Sequence, residues 1–327
     1  MQTEHTEQTE HTEHTGFATE RRSIPMPDGR IIEILTAGPA DGLPLVLHEG
    51  TPVGLALYPP TVAAAVVRGL RVVLPARPGY EGSTPRPGRR VADVAGDVAD
   101  VLNALGADTF LTAGWSGGGP HALACAAILP GRCLAAASIA GVAPYGAEGL
   151  DWTAGMGPEN IAEFGAALAG EAALTEFLEK MAAEIKGVTG AQVADALGGL
   201  ASAADKAALT GEYAEHMAAA LRASLSSGIA GWRDDDLAFT GDWGFSLGWD
   251  RELRAATLLG PDVPAAPVAI WQGDQDRMVP YTHGAWLAAH VQGARAHLLP
   301  GEGHLTLTVT SLERILDDLL DLAGLRG

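Results

Sequence analysis

The most constraining stretch of the chain is Ala113-Gly114-Trp115-Ser116-Gly117-Gly118-Gly119-Pro120-His121. The apolar run Thr109 to Thr112 leads into it, and Ala122 to Leu129 leads out through small and apolar residues. A serine therefore stands where a buried strand turns abruptly into a helix. Gly114 and Gly118, two positions to either side, suit a turn so tight that side chains there would collide, and the strain aims the serine hydroxyl outward. The Gly117 amide falls at a helix N-terminus, where unpaired N–H groups and the dipole can stabilise developing negative charge. Glycine makes up 42 of 327 residues, so the motif alone also fits an idle serine in a Gly-rich turn, and its surroundings must decide.

Those surroundings describe a folded chain. A hydrophobic content of 47% supports a sizeable core. The net charge of −19 argues against nucleic acid and against an anionic membrane as partners, and the expected partner is a small-molecule substrate. Only three lysines occur (Lys180, Lys186, Lys206), so no lysine-rich patch contradicts this. No long uninterrupted apolar run and no secretory order at the start are present, and the expected location is cytoplasmic. Cys125 and Cys133, both in apolar segments, read as buried thiols. Residues 1–22, with their Thr-Glu-His repeat, read as a disordered tail in which His5, His11 and His14 are solvated.

Strands are expected at Arg30 to Thr36, Leu43 to Leu47, Arg71 to Leu74 and Cys133 to Ile139. Val91 to Leu105 has helical spacing and stops at Gly106. This alternation predicts a doubly wound, mostly parallel sheet flanked by helices, with a core formed by 23–144 and 260–327. From 145 to 259 alanine-rich helical patterns replace strands: Ile161 to Ile185, Ala191 to Leu197 and Ala203 to Leu225. This reads as an inserted helical cap. It holds Trp152, Trp232, Trp243 and Trp249, expected mainly to hold the subdomain together, with some lining a pocket. Asp234 to Asp236 read as a solvated charge run. The core resumes at Val268 to Trp271, followed by a helix from Thr282 to Val291, a strand at Ala296 to Leu299 and a closing helix from Leu305 to Leu322.

Serine is a weak nucleophile at neutral pH and needs a base, which in turn needs a carboxylate to fix its tautomer. Ser116, Asp276 and His304 each follow a predicted strand, where such sheets place their sites. With the loops His48 to Pro52, Arg77 to Tyr80, Gly273 to Pro280 and Gly301 to His304, the chain resembles the α/β-hydrolase superfamily, specifically its capped branch, from about Arg30 to Leu322. The resemblance implies a catalytic triad of Ser116, Asp276 and His304, with Asp274 as the runner-up acid. It also implies an oxyanion hole from the backbone amides of Gly117 and Thr51, and neither a metal nor an organic cofactor. His121 is expected to pack inside the elbow helix. One departure stands out: Glu49 occupies the place before glycine where relatives have histidine, and it is expected to point away or to pair with a cation.

The resulting expectation is a serine hydrolase acting on a small or medium apolar ester through an acyl-enzyme. A proline-iminopeptidase-like aminopeptidase, with an acidic anchor in the cap for a free amino group, and a carbon–carbon bond hydrolase are alternatives with the same triad. A non-catalytic small-molecule receptor is the alternative from a different class.

Overall fold

Nine strands in the order β1-β2-β3-β5-β4-β6-β7-β8-β9 form one sheet in the computed structural model, which describes residues 10–12, 18–246 and 265–326. The strands are β1 (Glu10–Thr12), β2 (Thr19–Pro25), β3 (Ile31–Ala37), β4 (Leu43–His48), β5 (Leu70–Pro75), β6 (Phe110–Trp115), β7 (Cys133–Ile139), β8 (Val268–Gly273) and β9 (Arg295–Leu299). From β5 through β9 every pairing is parallel, while β1, β2 and β3 add an antiparallel edge. After β4 the chain moves outward to β5, then returns to the other side of β4 as β6. Loops leaving β4 and β6 therefore diverge and open a crevice at the sheet's C-terminal edge, the usual place for a site in such folds.

Helices α1 (Pro59–Val66), α2 (Asp93–Ala104) and α3 (Gly119–Ile128) connect the first parallel strands. Valines and leucines at helical spacing put Val94, Val98, Val101 and Leu102 of α2 in the core on one sheet face. Val62 and Ala65 of α1 pack on the other face, with Ile315, Leu316 and Leu319 of the closing helix. Cys125 and Cys133 are buried and free.

Between β7 and β8 the described residues contain helices and no strand: α4 (Pro158–Ala169), α5 (Glu171–Ile185), α6 (Gly190–Ala196), α7 (Ala203–Ala208), α8 (Gly211–Ser224) and α9 (Ala230–Thr240). Two expected long helices are each split: Gly170, at φ 114°, separates α4 from α5, and the stretch around Gly211, at φ 54°, separates α7 from α8. Trp152 packs against Phe164, Tyr145 and His283, and Trp243 is buried beside α9, while Trp249 lies outside the described residues. Helices α10 (Tyr281–His290), α11 (Thr306–Thr310) and α12 (Leu312–Leu322) complete the fold.

The N-terminal expectation needs correction. Within residues 1–22, Glu10–Thr12 and Thr19–Pro25 are paired strands; the rest of that segment up to 17 lies outside the described residues. β2 lacks apolar alternation because other forces hold it: the backbone ladder to β3, and Arg21, which donates to both carboxylate oxygens of Glu33 at 2.6 and 2.7 Å.

Candidate active site

Ser116 follows β6 with φ 56°, a backbone strain that sheet and helix on either side must hold in place. A Cβ on Gly114 would lie 2.0 Å from the Gly118 carbonyl oxygen, and one on Gly118 would lie 2.0 Å from that of His48. Both glycines are thus required by close backbone approach. Ser116 and His304 line the same cavity, of about 140 Å³, with Thr51 and Gly117. His304, in the loop after β9, presents Nδ1 to Asp276 Oδ2 at 2.8 Å. Asp276 in turn accepts the amides of Met278 and Val279 on Oδ1 and Gln272 Nε2 on Oδ2, so its orientation is fixed. Burial works against a charged His304, but the charge and hydrogen bond of Asp276 outweigh it, and its pKa is raised. With Nδ1–H committed to the carboxylate, Nε2 is left as the basic nitrogen. Asp274 is turned elsewhere, accepting Gln275 Nε2 and the Gly301 amide.

The amide of Thr51 makes no hydrogen bond among the described residues, and that of Gly117 lies in the first turn entering α3. Both residues line the cavity with Ser116. His121 is buried in α3 and held near a pKa of about 4 by burial, consistent with a packing role. Glu49 is absent from the cavity lining and lines a second cavity beyond Trp115.

The helical insertion contributes what sequence patterns did not show. Asp234, Asp235 and Asp236 are not a solvated run: their exposures are 2%, 0% and 1%. The reason is compensation by distant groups. Asp235 accepts from Arg77 Nη2 at 2.7 Å, Arg89 Nη2 at 2.6 Å, Tyr80 Oη at 2.8 Å and Thr51 Oγ1 at 2.8 Å. Burial alone would raise its pKa, but the two guanidinium charges hold it well below the usual carboxylate range. Arg77 also donates to the backbone carbonyls of Glu49 and Gly50, so α9 is tied to the loop carrying Thr51. Asp234 is paired with Arg233.

Asp205 of α7 plays a comparable part for the other loop. Its Oδ1 accepts the Leu305 and Thr306 amides at 2.7 and 3.3 Å, fixing the turn after His304, and its charge also favours protonated His304. The signal was present as the capping box from Ser202 to Asp205, but that pattern predicts a helix start and says nothing of the second oxygen's partners.

Glu163 and Asp236 face the same cavity as Ser116, where Trp232 Nε1 donates to Glu163 Oε1 at 2.7 Å. Burial pushes both pKa values up; the neighbouring Glu163 adds to the rise at Asp236, whereas the contacts of Asp236 and Trp232 pull against it at Glu163. Asp236 Oδ2 and Glu159 Oε2 in this cavity are buried without a hydrogen-bond partner. Apart from Asn160, the rest of the lining, including Phe164, Met181, Leu197, Leu221 and Phe239, is apolar.

Comparisons with known proteins agree with this architecture. A non-heme chloroperoxidase from Streptomyces lividans is 33% identical over 144 residues, 43% of this chain and 52% of that protein, so the match spans about half of that relative's length. An esterase from Rhodococcus sp. ECU1013 superposes with a TM-score of 0.61 at 20% identity, covering 92% of this chain and 99% of the other. A bromoperoxidase from Bacillus anthracis gives 0.61 at 19% identity over the same shares. Residues 44–309 match the family described as alpha/beta hydrolase fold, and with a nine-stranded sheet of that order and a strained serine after its central strands, the chain belongs to that family.

Proposed function

We propose that the protein is a serine hydrolase cleaving small or medium apolar carboxylic esters. The observation that carries this reading is the His304–Asp276 pair at 2.8 Å on one wall of an apolar cavity that also exposes Ser116 in its strained turn. Ser116 Oγ attacks the ester carbonyl while His304 Nε2 takes its proton. The Gly117 and Thr51 amides receive the oxyanion. As the tetrahedral species collapses, the alcohol leaves with the proton from His304, giving an acyl-enzyme. Water, deprotonated by the same nitrogen, then releases the acid and free Ser116. The helical insertion acts as a cap that keeps the acyl chain from water. The two free, buried thiols favour a cytoplasmic setting.

The test is labelling by a fluorophosphonate probe with Ser116→Ala, Asp276→Asn and His304→Ala alongside, followed by an acyl-chain series of chromogenic esters. Strong labelling of the wild type alone, with ester turnover, supports the reading. A folded wild type that neither labels nor turns over, yet binds apolar acids, moves the assignment to a non-catalytic receptor.

A second reading rests on Glu163 and Asp236. Two buried carboxyls facing a mostly apolar cavity suit a substrate bearing a protonated amine, as in a proline-iminopeptidase-like aminopeptidase. Faster turnover of aminoacyl esters or amides than of isosteric acyl esters, abolished in Glu163→Gln, would favour it.

A further inference from the structure

Behind Trp115 lies a second cavity of about 90 Å³, separated from the catalytic one by Trp115 and Met217, which line both. Leu47, Ile139 and Ile315 give it an apolar floor. Tyr58 forms an aromatic wall with Tyr213 and His216, at ring-centroid distances of 5.2 and 5.0 Å. Into this space faces Glu49, whose carboxylate receives no side-chain hydrogen bond and no ion pair among the described residues.

The charge balance of the cavity is one-sided. No lysine or arginine lines it, and burial holds both of its histidines neutral, His216 at about 4 and His48 well below its ordinary value. Arg77 attracts the Glu49 charge from outside the lining, yet its guanidinium is spent on Asp235 and on backbone carbonyls. Burial still pushes the Glu49 carboxyl up to about 7. Tyr58 and His216 also border an open groove lined by Glu212 and Glu215, again without lysine or arginine. A cation approaching this face is drawn in by those acids, whereas an anion is repelled.

We propose that the cavity behind Trp115 binds a small organic monocation, a short-chain primary alkylammonium, with its charge on Glu49 beside the Tyr58 and Tyr213 rings and its chain on the apolar floor. Ring faces and a carboxylate together favour an ammonium, and the apolar floor gives the alkyl chain its place. A hard divalent metal would want several oxygen ligands, which a single carboxylate among rings does not supply. Nothing in this proposal depends on the esterase reading, because the cavity lies on the far side of Trp115 from Ser116.

The experiment is calorimetric titration of the full chain with n-butylammonium chloride, and with 1-butanol and sodium butyrate as neutral and anionic counterparts. Variants are Glu49→Gln, Tyr58→Leu and, because the catalytic cavity also carries carboxyls, Glu163→Gln. The expected result is saturable binding of the ammonium, weakened about tenfold in Glu49→Gln and severalfold in Tyr58→Leu, unchanged in Glu163→Gln, and at least about tenfold tighter than butanol. Should Glu49→Gln lose its fold, Tyr58→Leu against Glu163→Gln carries the comparison. Binding that disappears in Glu163→Gln and survives in Glu49→Gln or Tyr58→Leu overturns the proposal, as does equal affinity for butanol or no binding by folded wild type.

Discussion

The sheet edge and the helical insertion face each other across one cavity, and they position polar groups by different means. At the sheet edge, Ser116, Asp276 and His304 stand at the ends of β6, β8 and β9, so strand register sets their spacing and glycines make room for the turns. In the insertion, the groups that matter are buried carboxyls on helices, each stabilised differently. Asp205 is held by backbone amides, Asp235 by two arginines, and Asp236 and Glu163 by burial that favours their neutral forms. The first two hold core loops in place; the third pair is left facing the cavity. One residue class thus serves as a clamp or stays exposed to the cavity according to how its burial is compensated.

The largest effects are expected at the sheet edge. Ser116→Ala and His304→Ala should each lower kcat on the best chromogenic ester by roughly three to six orders of magnitude with folding intact. Asp276→Asn should cost about as much as a wrong histidine tautomer does elsewhere, roughly 10⁴-fold. If an insertion variant matched these losses while remaining folded, the division between chemistry and support would fail.

Next comes Asp235→Asn, which strips the charge from a site where Arg77 and Arg89 are almost wholly buried. Urea unfolding should show a loss of about 3–5 kcal/mol, the usual cost of leaving buried charges without their partner. Because the folded pKa of Asp235 lies below its unfolded value, its contribution is present above about pH 4 and is lost as pH falls through the folded value. The wild type should therefore lose stability on acidification more steeply than Asp235→Asn. Activity should fall as well, since Arg77 and Thr51 hold the loop at Glu49 to Thr51, proposed to supply an oxyanion amide, to this carboxylate.

That same cluster shows where a linear reading stops. β7 was legible to the residue from its small apolar run, and motif order singled out Asp276 and His304, which the fold brings to 2.8 Å. The helix α9 was not, since Trp232-Arg233-Asp234-Asp235-Asp236 has no clean apolar period and looks like a surface. Its burial depends on arginines some 150 residues earlier, brought near only when the loop after β5 and the insertion meet. Likewise α1 was hidden by the prolines at its start, which fit a first helical turn as well as a loop.

A smaller and more selective effect is expected for the cavity carboxyls. Glu163→Gln keeps the shape and the Trp232 acceptor but removes a titrating group. On neutral apolar esters kcat/KM should change little, within about threefold, while an aminoacyl ester should lose about tenfold if the pair receives its ammonium. Equal losses on both substrates would turn Glu163 into a clamp like Asp235, and the contrast within the insertion would collapse.

The smallest effect belongs to Glu49, which sits between the two regions. Its folded pKa of about 7 lies above the ordinary carboxyl value, so the neutral form is the one the fold favours. That contribution is fully present below about pH 4.5 and is lost as pH rises through about 7. Glu49→Gln does not titrate and should escape the loss. Thermal unfolding from pH 4.5 to 8 should therefore show wild type declining relative to the variant, by about 1–2 kcal/mol given that the side chain is only partly withdrawn from solvent. A decline identical in both proteins would mean that a counter-charge reaches Glu49, placing it with the clamped carboxyls of the insertion. A decline in wild type that n-butylammonium reverses would instead tie the stability of this loop to occupation of the cavity behind Trp115.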